Sequence, residues 1–176
     1  MIGAGAIFAY HSAFTIEGDK MPRPTPCLWF NHNAEEAARF YCSIFDDAEM
    51  LHPATPTPEG GHQPIMVRWR MNGQEVLGLN GGPKYPQSES FSFFIEVNDQ
   101  IELDRYWDAL LADGGKESMC GWLKDRFGVS WQVIPKQLGF LVGNENPVVA
   151  KAATEAMFKM RKIVIADLEA AAASAQ

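Results

Sequence analysis

An α+β fold of paired βαβββ modules with a C-terminal helix is predicted for this chain, and three observations predict it. A strand, an Asn/Asp cap and an amphipathic helix carrying Arg39-Phe40-Tyr41 recur later as a strand, a second Asn/Asp cap and a helix carrying Arg105-Tyr106-Trp107. Each copy is followed by further strands, and in the first copy the dipeptide Asn72-Gly73, a strong signal for a two-residue hairpin, joins two of them. The third observation is the stretch 120–135, which reads as a strand, a tight turn and a second strand. Taken alone, the repeat also admits two unrelated amphipathic helices.

Composition sets the frame. With 176 residues, 47% hydrophobic and 21% charged, the chain suits one domain of ordinary size or two small modules sharing a core. A net charge of -7 and the lack of a Lys/Arg stripe argue against binding a phosphate backbone, so nucleic acid is not expected as a partner. Cys27, Cys42 and Cys120 are scattered and form no Cys-x-x-Cys pair. They predict neither a disulfide framework nor a zinc knuckle, and they suit a reduced, cytoplasmic setting. The apolar run 2–10 follows no basic residue and is too short to span a bilayer, so no membrane association is expected. Residues 1–20 are expected to be a disordered extension, with Met21 an alternative start.

Convincing structure begins after Pro22-Arg23-Pro24-Thr25-Pro26. Residues 26–30 form a short strand, and Asn31-His32-Asn33 is a turn in which Asn33 caps a helix over 34–45. Glu35 and Glu36 favour that helix start, and Ala37, Phe40, Tyr41, Ile44 and Phe45 give it one apolar face. A short strand over 48–52 precedes the Pro/Gly-rich loop 53–64; the hairpin strands 65–71 and 75–80 follow. Gly81-Gly82-Pro83 ends the hairpin and leads to a strand over 90–97. Asn98-Asp99 then caps a helix whose apolar positions are Ile101, Leu103, Tyr106, Trp107, Leu110 and Leu111, and Gly114-Gly115 stops it.

In the last hairpin, Asp125 to Gly128 is the turn, because Asp can bind the backbone ahead of it and Gly accepts a positive φ. Val129, Trp131 and Val133 then share one strand face and Ser130, Gln132 and Ile134 the other. Trp131 suits a core. An amide beside Ser and Ile needs a partner or a ligand, which makes Gln132 a candidate pocket residue. Arg68 and Arg70 share a face opposite Val67 and Trp69, either solvated or set to hold a carboxylate or phosphate. The tail, 147–173, is alanine-rich and helical, with Met157, Met160, Ile163, Val164, Ile165 and Leu168 on its apolar side.

Several of these motifs carry a family resemblance. Cys27-Leu28-Trp29-Phe30, Ala34 to Tyr41 (AEEAARFY), Gly78 to Pro83 (GLNGGP), Asp104-Arg105-Tyr106-Trp107, Gly114-Gly115 and the whole stretch 120–135 resemble the PhnB-like branch of the vicinal oxygen chelate (glyoxalase/bleomycin-resistance) superfamily. Members of that branch often carry the label 3-demethylubiquinone-9 3-methyltransferase. The resemblance covers about 22–140, with modules at about 22–80 and 90–136; the helical tail, 145–173, is also similar to that branch.

The resemblance implies strands curled around a concave cavity, usually completed in a homodimer. In metal-dependent relatives, four side chains from the first and last strands of each module hold a divalent ion. Those places fall here near 25–27, near Asn80, at Ser92 and at Gln132. Zinc and nickel favour imidazole, carboxylate or thiolate, and one thiol at Cys27 does not compensate for three weak neutral donors. His11, His32, His52 and His62 are read as surface residues. No metal site and no cofactor are therefore expected, an atypically held divalent ion being the alternative. Without a metal, Cys27, Asn80, Ser92 and Gln132 make a polar patch in an apolar cup, with Arg68 as an anchor; Trp29 and Trp122 suit core packing first and aromatic walls as the alternative.

Two functions follow. The first is binding of a small molecule without chemistry. The second is an enzyme of the superfamily's lyase, isomerase or dioxygenase kind, for which Glu96 is the nearest carboxylate to serve as base. A methyltransferase would need a strand, a Gly-rich turn and a helix early in the chain for S-adenosylmethionine, and Gly3-Ala4-Gly5 and Gly81-Gly82-Pro83 provide neither context.

Overall fold

Both halves of the chain build the same sheet. The computed structural model describes residues 23–51 and 64–175. The expectations for 1–20, for most of the loop 53–64 and for His11, His52 and His62 lie outside the described residues. The first module is β1 (Cys27–Phe30), α1 (Ala34–Ile44), β2 (Ala48–Met50), β3 (Met66–Met71) and β4 (Gln74–Asn80). The second is β5 (Ser92–Val97), α2 (Gln100–Leu111), β6 (Lys116–Glu117), β7 (Trp122–Lys124) and β8 (Ser130–Pro135). Three helices follow: α3 (Lys136–Val142), α4 (Pro147–Met157) and α5 (Ile165–Ala173).

The strand orders are β1-β4-β3-β2 and β5-β8-β7-β6. In each sheet the first strand pairs in parallel with the last, and the remaining pairs are antiparallel. Identical order and identical direction make the repeat structural, which removes the reading of two unrelated helices.

The local chemistry accounts for these elements. Asn72 and Gly73 both have positive φ, 43° and 82°, as a tight two-residue hairpin requires, and Met71 faces Gln74 across it. On α1, Ala34, Ala37, Ala38 and Tyr41 are buried, and the alanines let the helix lie close to its sheet. The cap of α1 differs from expectation. Asn33 makes no side-chain cap bond; instead Asn80 Oδ1 accepts from Ala34 N–H at 2.9 Å, and the Asn80 amide donates to the Pro64 carbonyl at 2.7 Å. At α2, Asp99 accepts from Glu102 N–H at 2.8 Å while Glu102 accepts from Asn98 N–H at 2.7 Å, so two orphan donors are satisfied together. Ile101, expected on the apolar face, is 82% exposed, because it lies about 160° around the helix from Leu103.

The two modules share an aromatic core. Tyr41 and Phe45 of α1 and its end meet Trp131 with ring centroids 5.3 and 5.7 Å apart, and Phe93 meets the same indole at 4.7 Å. Asp125 holds this junction together. Its Oδ1 accepts from Phe127 N–H (2.8 Å) and Val129 N–H (3.0 Å), forming the hairpin turn. Its Oδ2 accepts from the Tyr41 hydroxyl (2.8 Å) and the Trp131 indole (2.9 Å). Burial pushes the Asp125 carboxyl above the usual carboxylate range, and the four donated bonds oppose that rise.

The tail is not one helix. Between α4 and α5, residues 158–164 run without helix across the second module. Cys120 N–H donates to the Met160 carbonyl and Gly121 N–H to the Arg161 carbonyl, at 2.8 and 2.7 Å. The Gln100 amide donates to the Ile163 carbonyl and accepts from Ile165 N–H. Ile163 is fully buried, and Lys162 pairs with Asp104 at 2.9 Å. These bonds, together with the β-branched run Ile163-Val164-Ile165, outweigh the helix preference of the flanking alanines.

Candidate functional site

Each sheet packs one face on the helices and leaves the other open. On the first sheet the open face carries Cys27 and Trp29 of β1, Leu77 and Leu79 of β4, and Met66, Arg68 and Arg70 of β3. Both arginines are engaged by acids on that face: Arg68 pairs with Glu75, and Arg70 with Glu49. Cys27 is exposed, and partial desolvation pushes its thiol up with no cation to lower it, so it is not an activated nucleophile.

On the second sheet, Phe94, Gln132 and Trp122 stand in one register row across β5, β8 and β7. They line a cup of about 580 Å³ with Ile134, Met119 and Cys120. The other wall comes from Leu138 of α3 and from Met157 and Phe158 at the end of α4. The Gln132 amide donates to Ser92 Oγ at 2.9 Å, and its carbonyl oxygen accepts no bond from the described residues. Apart from Glu89, which pairs with Lys124, the lining is uncharged. A cup of this size with one oriented amide among apolar and aromatic walls suits a small organic molecule.

The residues singled out in the sequence separate into three places. Gln132, Trp122 and Ser92 come together at the cup. Cys27 and Arg68 lie on the open face of the other sheet. Asn80 lies on the opposite face from Leu77 and Leu79, its side chain spent on capping α1. Sequence reasoning missed Phe94, Met119, Leu138, Met157 and Phe158 as cup residues. The alternation of Ser92, Phe94 and Glu96 on β5 was a usable signal for Phe94. No local signal places the end of α4 over β8.

A second cavity of about 330 Å³ lies where the modules meet, lined among others by Trp29, Tyr85, Gln87, Arg126 and Phe127. It is knit together by its own bonds: the Trp29 indole donates to the Gly82 carbonyl at 2.7 Å, and Arg126 pairs with Glu36 and Asp113. Glu96 lines neither cavity but a third, between β5 and the Asn72 turn.

The residues at the places that the resemblance assigns to metal ligands are mostly weak donors. Asn80 is committed to backbone groups, and Ser92 and Gln132 are neutral and bonded to one another, which leaves Cys27 as the one strong donor of the set. Among the described residues no group of three His, Cys, Asp or Glu side chains is arranged to hold one. His32 is exposed in a turn.

Two βαβββ modules with open sheet faces are the fold that the resemblance to the vicinal oxygen chelate superfamily implies. Residues 22–134 match the family model described as 3-demethylubiquinone-9 3-methyltransferase, and the chain belongs to that family. A PhnB protein of Bacillus cereus carrying the same description shares 28% identity over 65% of this chain and 99% of its own, with a TM-score of 0.58. A protein of Pseudomonas aeruginosa shares 25% identity over 65% of this chain and 98% of its own, with a TM-score of 0.53. No curated protein matches the chain. The helices α3 to α5 lie beyond the matched segment. Among the described residues, no helix is long and apolar enough to cross a membrane.

Proposed function

We propose that the protein binds a small organic molecule in the cup on the second sheet and performs no chemistry on it. The observation that carries this reading is the row Phe94, Gln132 and Trp122, a neutral amide between two aromatic side chains on a mostly apolar surface. The donor set argues against a metal, and Glu96, the carboxylate nominated as a base, lines a different cavity. The family description names methyl transfer, yet among the described residues none of the three strand-to-helix junctions, at Asn31-His32-Asn33, at Asn98-Asp99 and at Pro135-Lys136, contains the glycines that an S-adenosylmethionine site of the Rossmann type needs.

A homodimer completes the proposal. Phe94 is 57% exposed on the open face, and a second copy laid across that face would cover it. Purified protein is expected to sediment at about 39 kDa, twice the 19.5 kDa of one chain.

Metal analysis of protein prepared without chelator tests the functional reading. The expected divalent-ion content is far below one equivalent and the same in wild type and in Gln132→Ala. Near one equivalent in wild type, lost in Gln132→Ala, would overturn it in favour of the enzyme.

A further inference from the structure

The part of the chain that closes the cup is the part outside the family match. Leu138, Met157 and Phe158 all lie beyond residue 134, yet they face Trp122, Gln132 and Ile134 across the same space. Their position does not depend on a ligand. The segment 158–164 is fixed by two backbone bonds to Cys120 and Gly121, by both ends of the Gln100 amide, by the burial of Ile163 and by the Lys162–Asp104 pair. Phe158 itself is 62% exposed, and Met157 is only half-buried. An exposed aromatic side chain on a rigidly docked segment supplies contact area to a ligand at little cost in conformational entropy.

The cup's polarity narrows what that wall selects. Gln132 donates one amide hydrogen to Ser92, which leaves its carbonyl oxygen as an acceptor beside the second amide hydrogen. A ligand with a hydroxyl or N–H donor satisfies that acceptor, and one without leaves it unpaired beside an apolar body. Glu89 is the one charged lining residue and Lys124 already neutralises it, so an anion finds no uncommitted cation among the described cup residues. Resting on the reading of the cup as a ligand site, we infer that the C-terminal segment is its specificity wall. Through Met157 and Phe158 against Trp122, with Gln132 as acceptor, the cup selects a neutral aromatic molecule that carries a hydrogen-bond donor.

Three probes of one shape test this: 2-naphthol, 2-methoxynaphthalene and 2-naphthoate, titrated calorimetrically into the full chain at pH 7. The naphthol is expected to bind ~10-fold more tightly than either of the others, the difference one satisfied acceptor makes. Gln132→Leu should erase that preference while leaving methoxynaphthalene binding in place. The double variant Met157→Ala/Phe158→Ala should weaken all three probes by ~10-fold; Phe158→Ala alone should weaken them in the same direction with an unchanged melting temperature, since that side chain is at the surface whereas Met157 packs partly against the core. Wild-type affinities in the double variant would overturn the specificity wall and leave the cup standing. Tightest binding by the naphthoate would overturn the neutral-donor selection. If none of the probes binds wild type at millimolar concentration, the cup itself is wrongly read and the wall falls with it.

Discussion

Replacing Asp125 by alanine is expected to cost about 3–5 kcal/mol of stability, a fall of roughly 6–20 °C in melting temperature for a chain of this length. The reason is the number of donors left behind. Tyr41 hydroxyl, Trp131 indole and the backbone N–H groups of Phe127 and Val129 all lose their acceptor at a site that is 4% exposed. Because the first of these donors sits on α1 and the rest on the second module, the loss also loosens the seam between the modules. Asp125→Asn keeps an acceptor oxygen and is expected to lose about half as much. Denaturant unfolding of the three proteins measures this, and an alanine variant within about 1 kcal/mol of wild type would remove Asp125 from its central place.

Gly121→Ala is the second large effect. Gly121 has φ +82°, which costs an L-residue about 1–2 kcal/mol. An added Cβ would also stand 2.6 Å from Ile134 Cδ1, 3.1 Å from the Val133 carbonyl and 3.2 Å from Ile163 Cγ1. The Ile134 methyl can swing aside, whereas the Val133 carbonyl of β8 and Ile163 of the docked C-terminal segment must each give by a few tenths of an ångström. A total cost of about 2–4 kcal/mol is expected, with trypsin cutting after Arg161 and Lys162 in the variant and sparing them in wild type. Unchanged stability together with an unchanged digest would show that the segment is held by something other than this contact.

How much of this was legible in the sequence depended on how local the cause was. The Asn72-Gly73 hairpin, the Asp125 turn and the two faces of β8 follow from backbone geometry and a period of two, and the repeat follows from the order of such elements. The exposure of Ile101 was an error of helical angle within reach of a stricter count. Asn80 is different: as a candidate ligand group it sits at a plausible strand end, but the helix start it caps is 46 residues earlier in the chain. The division of the tail follows the same logic, since Gln100 and Gly121 decide where residues 158–164 run. At the cup, Gln132 and Trp122 announced themselves by type and pattern. Met157 and Phe158 resembled any apolar helix face, and only docking gives them a site.

The most direct test of the account is a map of backbone amide shifts as 2-naphthol is added to labelled protein. The shifts are expected to gather on Phe94, Met119, Trp122, Gln132, Ile134 and the segment around Met157 and Phe158, on both sides of the cup. Shifts gathered instead on Trp29, Tyr85, Gln87 and Phe127, around the cavity between the modules, would contradict it.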